Sequence, residues 1–317
     1  EAALKLARVL DFLKREQLAG VLIQTSANAE WITGGSCGEG IIIGEIAVIP
    51  LLICADGRKY FITGQGKASG LVHDDLRAIG FELKEISWYE DDPGSGCLGA
   101  IAQQLTGGGV LGSDKPSAGA RFVQDEMAAL RVPLTDTEMR KYRWLGKNCG
   151  EAMVSVCRLI QSGMTERGLE ALLADELLRR AIQPITVEVS ADAPVMPASS
   201  AFPPGTNKVE KHACARIVAR RWGVVVEMTR AVSLGRAADE LRRKMVAVAH
   251  VNAGFWARTI PDATAGAILQ GAIADYAEVE FPDAWRRQPP GGAIGYRERD
   301  WVASPGSGRK VQANQTF

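Results

Sequence analysis

The segment RWGVVVEMTR, residues 221–230, places an acidic residue at the end of an apolar run. Its three successive valines indicate a buried β-strand at 223–228, and Glu227 lies near the end of that strand. A second strand-like run precedes it at 213–219, and Gly223 is typical of a turn between the two. The segment therefore predicts a β-hairpin that carries a carboxylate.

The residue opposite Glu227 depends on where this hairpin turns. If residue 219 faces residue 224, then position 216, an arginine, faces position 227. Directly opposed side chains of antiparallel strands have Cβ atoms about 4.5–5.5 Å apart. The sequence thus predicts an ion pair between Arg216 and Glu227, which a one-residue shift of register would separate onto opposite faces.

Composition limits the classes of function. The chain has 317 residues, 46% of them hydrophobic, and Lys plus Arg equals Asp plus Glu at 37 each. Net charge therefore gives no reason to expect nucleic acid or a membrane surface as a partner. No segment has the roughly 18 consecutive apolar residues of a membrane span. The six cysteines form no Cys-x-x-Cys pair, which favours free thiols in a cytoplasmic protein.

The first half of the chain alternates helical and strand-like patterns. Helical spacing covers 3–16, 67–79 and 98–105, and strand-like runs cover 20–24, 81–86 and 109–112. A hairpin is predicted at 41–63, with Asp56-Gly57 as its turn. This alternation predicts an α/β domain over residues 1–132.

The second half has a different order of elements. Thr135 and Glu138 form a capping-box pattern at the start of a helix that extends to about residue 161, and Thr165 is a plausible cap for the next helix. The remaining predicted elements are strands at 184–190, 213–219 and 223–228, and helices at 238–257 and 262–278. Two helices, a sheet and two further helices predict an α+β domain over residues 133–317.

Five short motifs occur in one order along the chain. They are Asn28-x-x-Trp31-Ile32-Thr33-Gly34, Glu138-x-x-x-x-Arg143, Gly163-x-Thr165-Glu166, EMTR at 227–230 and GGAIGY at 291–296. Together they resemble the creatinase/prolidase, or pita-bread, family, which includes aminopeptidase P and methionine aminopeptidase. The resemblance implies a homodimer. It also implies a site in which two Asp, one His and two Glu hold two Mn, Co or Zn ions that activate a bridging water against an amide.

This sequence departs from that ligand set. Arg216 stands at the position of the first Asp, and Gly292 at that of the His. Glu227, at the second Asp position, is the only acid retained. A substrate-facing His of the family falls near Ala201, and the chain ends at Phe317, before the region of the two Glu ligands. The resemblance therefore implies a second domain truncated at its C-terminus, and we expect neither a metal nor another cofactor.

Two hypotheses for the altered site remain open beside a metal site rebuilt from other residues. In the first, Arg216 and Glu227 form a partly buried ion pair where the family holds metals. In the second, Arg216 and Arg230 line a pocket for a small anionic or peptide ligand, because arginine suits bidentate binding of carboxylates. The candidate pocket residues are Arg216, Glu227, Thr229, Arg230, Gly292 and Tyr296, and no catalytic residue is identified.

Other constellations are weaker. The histidines, His73, His212 and His250, show no partner at ligand spacing, so structural roles are favoured. The Gly-rich segment 94–99 fits GxGxxG but follows a turn-like segment rather than a strand. The main hypothesis is therefore a family member without conventional metallopeptidase activity. The alternatives are a metal-dependent Xaa-Pro dipeptidase, a creatinase-like metal-independent hydrolase that lacks its His base, and a protein-binding module.

Overall fold

The computed structural model describes residues 1–36, 49–64, 71–90, 96–192 and 204–317. These residues divide into two compact units. Unit 1 comprises Glu1–Thr137 with Trp222–Val224, and unit 2 comprises Glu138–Arg221 with Val225–Phe317. The predicted segments at 41–48 and around Ala201, and the start of the 94–99 motif, lie outside the described residues.

Unit 1 is an α/β structure, as the sequence predicts. Its helices are α1 (Ala2–Arg15), α2 (Ser26–Thr33), α3 (Leu71–Ala78), α4 (Cys97–Leu105) and α5 (Gln124–Arg131). Its strands are β1 (Gly20–Ile23), β2 (Leu51–Cys54), β3 (Lys59–Gly64), β4 (Glu82–Ile86), β5 (Leu111–Ser113) and β6 (Ala120–Phe122). They form a mixed sheet in the order β4-β3-β2-β1-β5-β6. The predicted turn at Asp56-Gly57 joins the antiparallel strands β2 and β3.

The helix α2 was not predicted, and a distant acid caps it. Asp114, which follows β5, is buried and accepts hydrogen bonds from the backbone N–H of Gln24 at 2.6 Å and of Thr25 at 3.1 Å. Its second oxygen also accepts from the Asn28 side chain at 2.7 Å. Helix N-termini have N–H groups without intrahelical acceptors, and a carboxylate there satisfies them. Asn28, in the first family motif, therefore ties α2 to β5.

Unit 2 has the predicted order of helices, sheet and helices. Its helices are α6 (Asp136–Cys157), α7 (Glu166–Leu178), α8 (Asp239–Arg258) and α9 (Ala265–Glu278). Its strands are β7 (Gln183–Ala191), β8 (His212–Arg221), β9 (Val224–Ser233), β10 (Gly292–Ala293) and β11 (Trp301–Val302). The helix α6 starts in unit 1 and ends four residues before the predicted end at 161, and β10 and β11 were not predicted.

The sheet of unit 2 has the order β7-β8-β9, with β8 in the centre. The helix α7 packs against β7, and Thr165 caps α7 by accepting a hydrogen bond from the backbone N–H of Gly168, as predicted. The boundary predicted between residues 132 and 133 falls between α5 and α6 and stays a prediction. In the described part of the chain, no helix is long and apolar enough to cross a membrane.

An ion pair joins α8 to α9. Arg258 on α8 donates to both carboxylate oxygens of Asp275 on α9, with N–O distances of 2.6 and 2.8 Å. Gly254 provides the space for this pair, because a Cβ at that position would lie 1.9 Å from Oδ2 of Asp275. The short Asp275 side chain is buried and cannot move away without losing its partner.

We expect Gly254→Ala to lower the free energy of unfolding by about 1–3 kcal/mol, the usual cost of overpacking. Gly146→Ala on α6 is the matched control, since a Cβ there meets nothing within 4 Å. That variant should gain roughly 0.5–1 kcal/mol, because alanine favours helix over glycine. Thermal unfolding followed by circular dichroism measures both, and equal stabilisation by the two substitutions would contradict the packing argument.

Candidate functional site

The guanidinium of Arg216 lies among three carboxylates. Its Nε donates to Oε1 of Glu227 at 2.6 Å, its Nη1 to Oε2 of Glu188 at 3.0 Å, and its Nη2 to Oε1 of Glu298 at 2.8 Å. The acids come from three places: β7 carries Glu188, β9 carries Glu227, and the segment between β10 and β11 carries Glu298. The predicted pair of Arg216 and Glu227 is confirmed, and it is part of a larger cluster.

The register of the β8–β9 hairpin differs from the predicted one. The strand β8 ends at Arg221 and β9 begins at Val224, so the loop is Trp222-Gly223, and both loop residues have positive φ. Such a two-residue loop pairs 221 with 224 and sets position 216 opposite position 229. Glu227 is then the diagonal neighbour of Arg216, and a shift of two residues keeps both on one face. The contact survives the register error for this reason.

Glu188 is held opposite Arg216 by strand pairing. The two residues are direct partners in the antiparallel pairing of β7 with β8. Their side chains are 8% and 16% exposed, whereas those of Glu227 and Glu298 are 37% and 38% exposed. The cluster is therefore buried at its centre and open on the side of Glu227 and Glu298.

The electrostatics of the cluster keep Arg216 charged. The hydrogen bond to Glu227 raises the pKa of the Arg216 guanidinium above its usual value, and the bonds to Glu188 and Glu298 add to this effect against the opposing effect of burial. Every nitrogen of the fork faces a carboxylate, which is the geometry arginine favours. The anion-binding hypothesis requires this guanidinium to be available, and the three carboxylates already use it.

The residues at this position do not fit a divalent metal. A metal ion needs oxygen ligands that point at a common empty point, and here a permanent cation occupies the centre of the acids. A second cation beside the guanidinium would be repelled by it. No step of a metal-dependent mechanism follows from this arrangement.

A cleft of about 360 Å³ opens beside the cluster in unit 2. Six of the residues that line it are Glu227, Glu298, Arg299, Gly292, Trp301 and Phe317. The rings of Trp301 and Phe317 meet edge to face, with centroids 5.9 Å apart. The cleft therefore combines two acids, one exposed arginine and an aromatic wall, and its volume suits a small ligand.

The predicted pocket residues divide into two groups. Glu227 and Gly292 line the cleft, whereas Arg216 lies behind Glu227 and Glu298. The hydroxyl of Tyr296 is buried and donates to Glu138 at 2.6 Å, which ties the 291–296 motif to α6. The structure thus gives Tyr296 a structural contact, and its role in binding stays a prediction.

Two further candidates lie away from the cleft. Thr229 and Arg230 are exposed, and Arg230 donates to the backbone carbonyl of Thr229. Neither residue is among those that line the cleft. A pocket lined by Arg216 and Arg230 therefore stays a prediction, separate from this cleft.

Gly292, at the position where the family has histidine, is enclosed by backbone. A Cβ built on Gly292 would lie 2.2 Å from the carbonyl oxygen of Trp301 and 2.9 Å from Cα of Val302. The cause is the antiparallel pairing of β10 with β11, in which Gly292 faces Val302. The position requires glycine because two backbones approach each other there.

The sequence analysis predicted no partner at ligand spacing for His250, and this prediction was wrong. Within the described ranges, one group has the spacing of metal ligands: His250, Asp275 and Glu278, whose ligand atoms lie within 4.8 Å of one another. However, both oxygens of Asp275 already accept hydrogen bonds from Arg258. His212 lies 3.5 Å from Asp192, and the side chain of His73 is outside the described part of the structure.

The cysteines in the described ranges agree with the free thiols predicted from sequence. Cys54, Cys149, Cys157 and Cys214 form no disulfide. Burial raises the pKa of Cys149 to about 12 and also raises that of Cys214. Thiols with raised pKa are weak nucleophiles at neutral pH, so these two are not candidates for catalysis.

The architecture is similar to that of several solved structures. A prolidase from Thermococcus sibiricus aligns with a TM-score of 0.78 and 13% identity, over 99% of this chain and 88% of that one. The dipeptidase PepE from Mycobacterium ulcerans aligns with a TM-score of 0.75 and 15% identity, over 99% and 86%. The N-terminal domain of the FACT complex subunit SPT16 from Eremothecium gossypii aligns with a TM-score of 0.63 and 12% identity, over 99% and 86%.

The chain therefore has a pita-bread, creatinase/prolidase-like fold, as the five motifs indicated. No family model matches the chain, and no curated protein matches it by sequence. Identities of this size establish the fold alone. The function has to be argued from the residues of the site.

Proposed function

We propose that this chain is a prolidase-fold protein that binds a small ligand in the cleft and does not hydrolyse peptides by the metal-dependent route. The observation that carries the proposal is the guanidinium of Arg216 between Glu188, Glu227 and Glu298. In this arrangement the guanidinium, rather than a metal ion, provides the positive charge that compensates the three carboxylates. It supplies no exchangeable water and therefore no metal-activated nucleophile.

A creatinase-like, metal-independent mechanism, which uses a histidine as its base, lacks support as well. A general base has to lie within hydrogen-bond reach of the water or substrate that it deprotonates. None of the described residues that line the cleft is histidine. The aromatic wall and the two acids are instead typical of a binding site, in which apolar surface provides affinity and a few polar groups fix orientation.

The test is metal loading of the purified wild-type protein. After incubation with excess Mn²⁺ and desalting, we expect elemental mass spectrometry to find no stoichiometric metal, and we expect no hydrolysis of Ala-Pro or Leu-Pro with Mn²⁺, Co²⁺ or Zn²⁺ added. Stoichiometric metal together with Xaa-Pro hydrolysis would contradict the proposal and favour the dipeptidase alternative. Turnover that resists a chelator would favour the creatinase-like alternative.

The protein-binding alternative has one observation in its favour. The helix α8 exposes three neighbouring apolar side chains, Met245 at 45%, Val246 at 70% and Val248 at 50%, and further along it Trp256 at 85%. Large exposed apolar residues close together are typical of interaction surfaces.

The homodimer and the cytoplasmic location stay predictions. Sedimentation velocity of the wild type and of Trp256→Ser, with the exposed Trp88→Ser in unit 1 as control, would test whether α8 mediates self-association.

A further inference from the structure

We infer that the cleft binds a positively charged ammonium group of its ligand. The ligand class is then a small organic amine with an apolar substituent. This inference rests on the proposed function, because it takes the cleft to be a binding site. It replaces the anionic ligand expected from sequence, since Arg216 is not available to bind an anion.

The charges of the cluster favour a cation. Three carboxylates and the one guanidinium between them leave a net charge of −2. Counting the exposed Arg299 at the edge of the cleft leaves −1. Among the charged residues that line the cleft, Glu227 and Glu298 would repel an anion, and Arg299 would attract one. A cation is attracted by the same two acids.

The two acids also have hydrogen-bonding capacity left. Glu227 and Glu298 each accept a hydrogen bond from Arg216 through Oε1, and each side chain is more than a third exposed. The second oxygen of each carboxylate can accept from another donor. Arg216 holds both acids in position. Their side chains therefore lose less conformational entropy when a ligand binds. An ammonium group has three donors on a compact charge and suits two such acceptors.

The apolar residues that line the cleft favour an apolar group on the rest of the ligand. Trp301 and Phe317 present aromatic surface, and Val225 adds an aliphatic side chain. Aromatic rings attract both apolar groups and cations placed over their faces. An amine with an aromatic or branched aliphatic substituent can therefore contact both the acids and the apolar residues of the cleft.

Two probes separate the charge requirements. L-phenylalaninamide carries an ammonium and no carboxylate, whereas N-acetyl-L-phenylalanine carries a carboxylate and no ammonium. Isothermal titration calorimetry at pH 6 keeps the ammonium protonated, because α-amino groups have pKa values near 7.7–8.0 in reference peptides and titrate above this pH. We expect phenylalaninamide to bind the wild type, and N-acetylphenylalanine to bind at least about tenfold more weakly, which corresponds to about 1.4 kcal/mol.

Glu298→Gln tests the acid directly. The amide keeps an oxygen acceptor for Arg216 but removes the charge, and we expect phenylalaninamide to bind about tenfold more weakly, the loss typical of one charge-assisted hydrogen bond. Glu278→Gln on α9, an exposed acid that does not line the cleft, is the matched control and should leave the affinity unchanged. A melting temperature close to that of the wild type shows that Glu298→Gln is folded.

Three outcomes would overturn the inference: preference for N-acetylphenylalanine, equal binding of phenylalaninamide by wild type and Glu298→Gln, or no binding of either probe. None of these outcomes changes the metal content or the peptide hydrolysis of the wild type. A failure of the ammonium site is therefore distinguishable from a failure of the metal-free function.

Discussion

Replacing Arg216 with alanine is expected to lower the free energy of unfolding by about 3 kcal/mol, the lower end of the range for breaking a buried ion pair. The reason is that Glu188, Glu227 and Glu298 then face one another without a compensating charge. The lower end applies because Glu227 and Glu298 are more than a third exposed, and water screens their repulsion. Thermal unfolding followed by calorimetry measures the loss.

The same variant has a second expected property. Once the guanidinium is gone, the three carboxylates form a group of oxygen ligands around an open position, and millimolar Mn²⁺ or Ca²⁺ should raise its melting temperature but not that of the wild type. Arg216→Lys is the control, since it keeps a positive charge but loses the fork, and its loss of stability should be smaller. An Arg216→Ala protein as stable as the wild type would show that the acids do not depend on Arg216. If divalent ions do not stabilise the variant, the three acids do not form a metal site once the guanidinium is removed.

Gly292→Ala is expected to cost about 3 kcal/mol, the upper part of the range for overpacking. Its Cβ would meet the backbone of Trp301 and Val302, and backbone cannot rotate away as a side chain can. Gly292→His would introduce the residue that the resemblance implies for this position, and we expect it to separate β10 from β11 rather than to create a metal ligand.

Gly308→Ala is the control for this substitution. Gly308 lies in the same unit, its Cβ would meet nothing within 4 Å, and the variant should unfold within about 0.5 kcal/mol of the wild type, as is usual for surface changes. Urea unfolding compares the two variants. Wild-type stability of Gly292→Ala would mean that β10 and β11 separate at little cost.

The strand and helix pattern, and one half of the site, could be predicted from sequence. The pairing of Arg216 with Glu227 was correct although the register was two residues off, because strand periodicity puts every second residue on the same face. Glu188 and Glu298 were missed. Their contacts with Arg216 depend on how β7 pairs with β8 and on the path between β10 and β11, and no local pattern contains that information.

Two other errors have the same physical origin. The helix α2 was not predicted, and Asp114, which accepts hydrogen bonds from the backbone just before it, is far from it in sequence. The strands β10 and β11 were not predicted either, because their pairing depends on the small size of Gly292 against the backbone of another strand. Contacts between segments distant in sequence decided each case.

The cluster around Arg216 also has a consequence for how the protein responds to its surroundings. A bound metal ion exchanges with the medium, so a metalloprotein loses its charge centre when the ion is scarce or a chelator competes for it. The Arg216 side chain is covalently attached, and a guanidinium is not deprotonated in proteins. Its occupancy is complete from the moment the chain folds. A ligand that entered the cleft would therefore meet the same charge in metal-poor and metal-rich conditions.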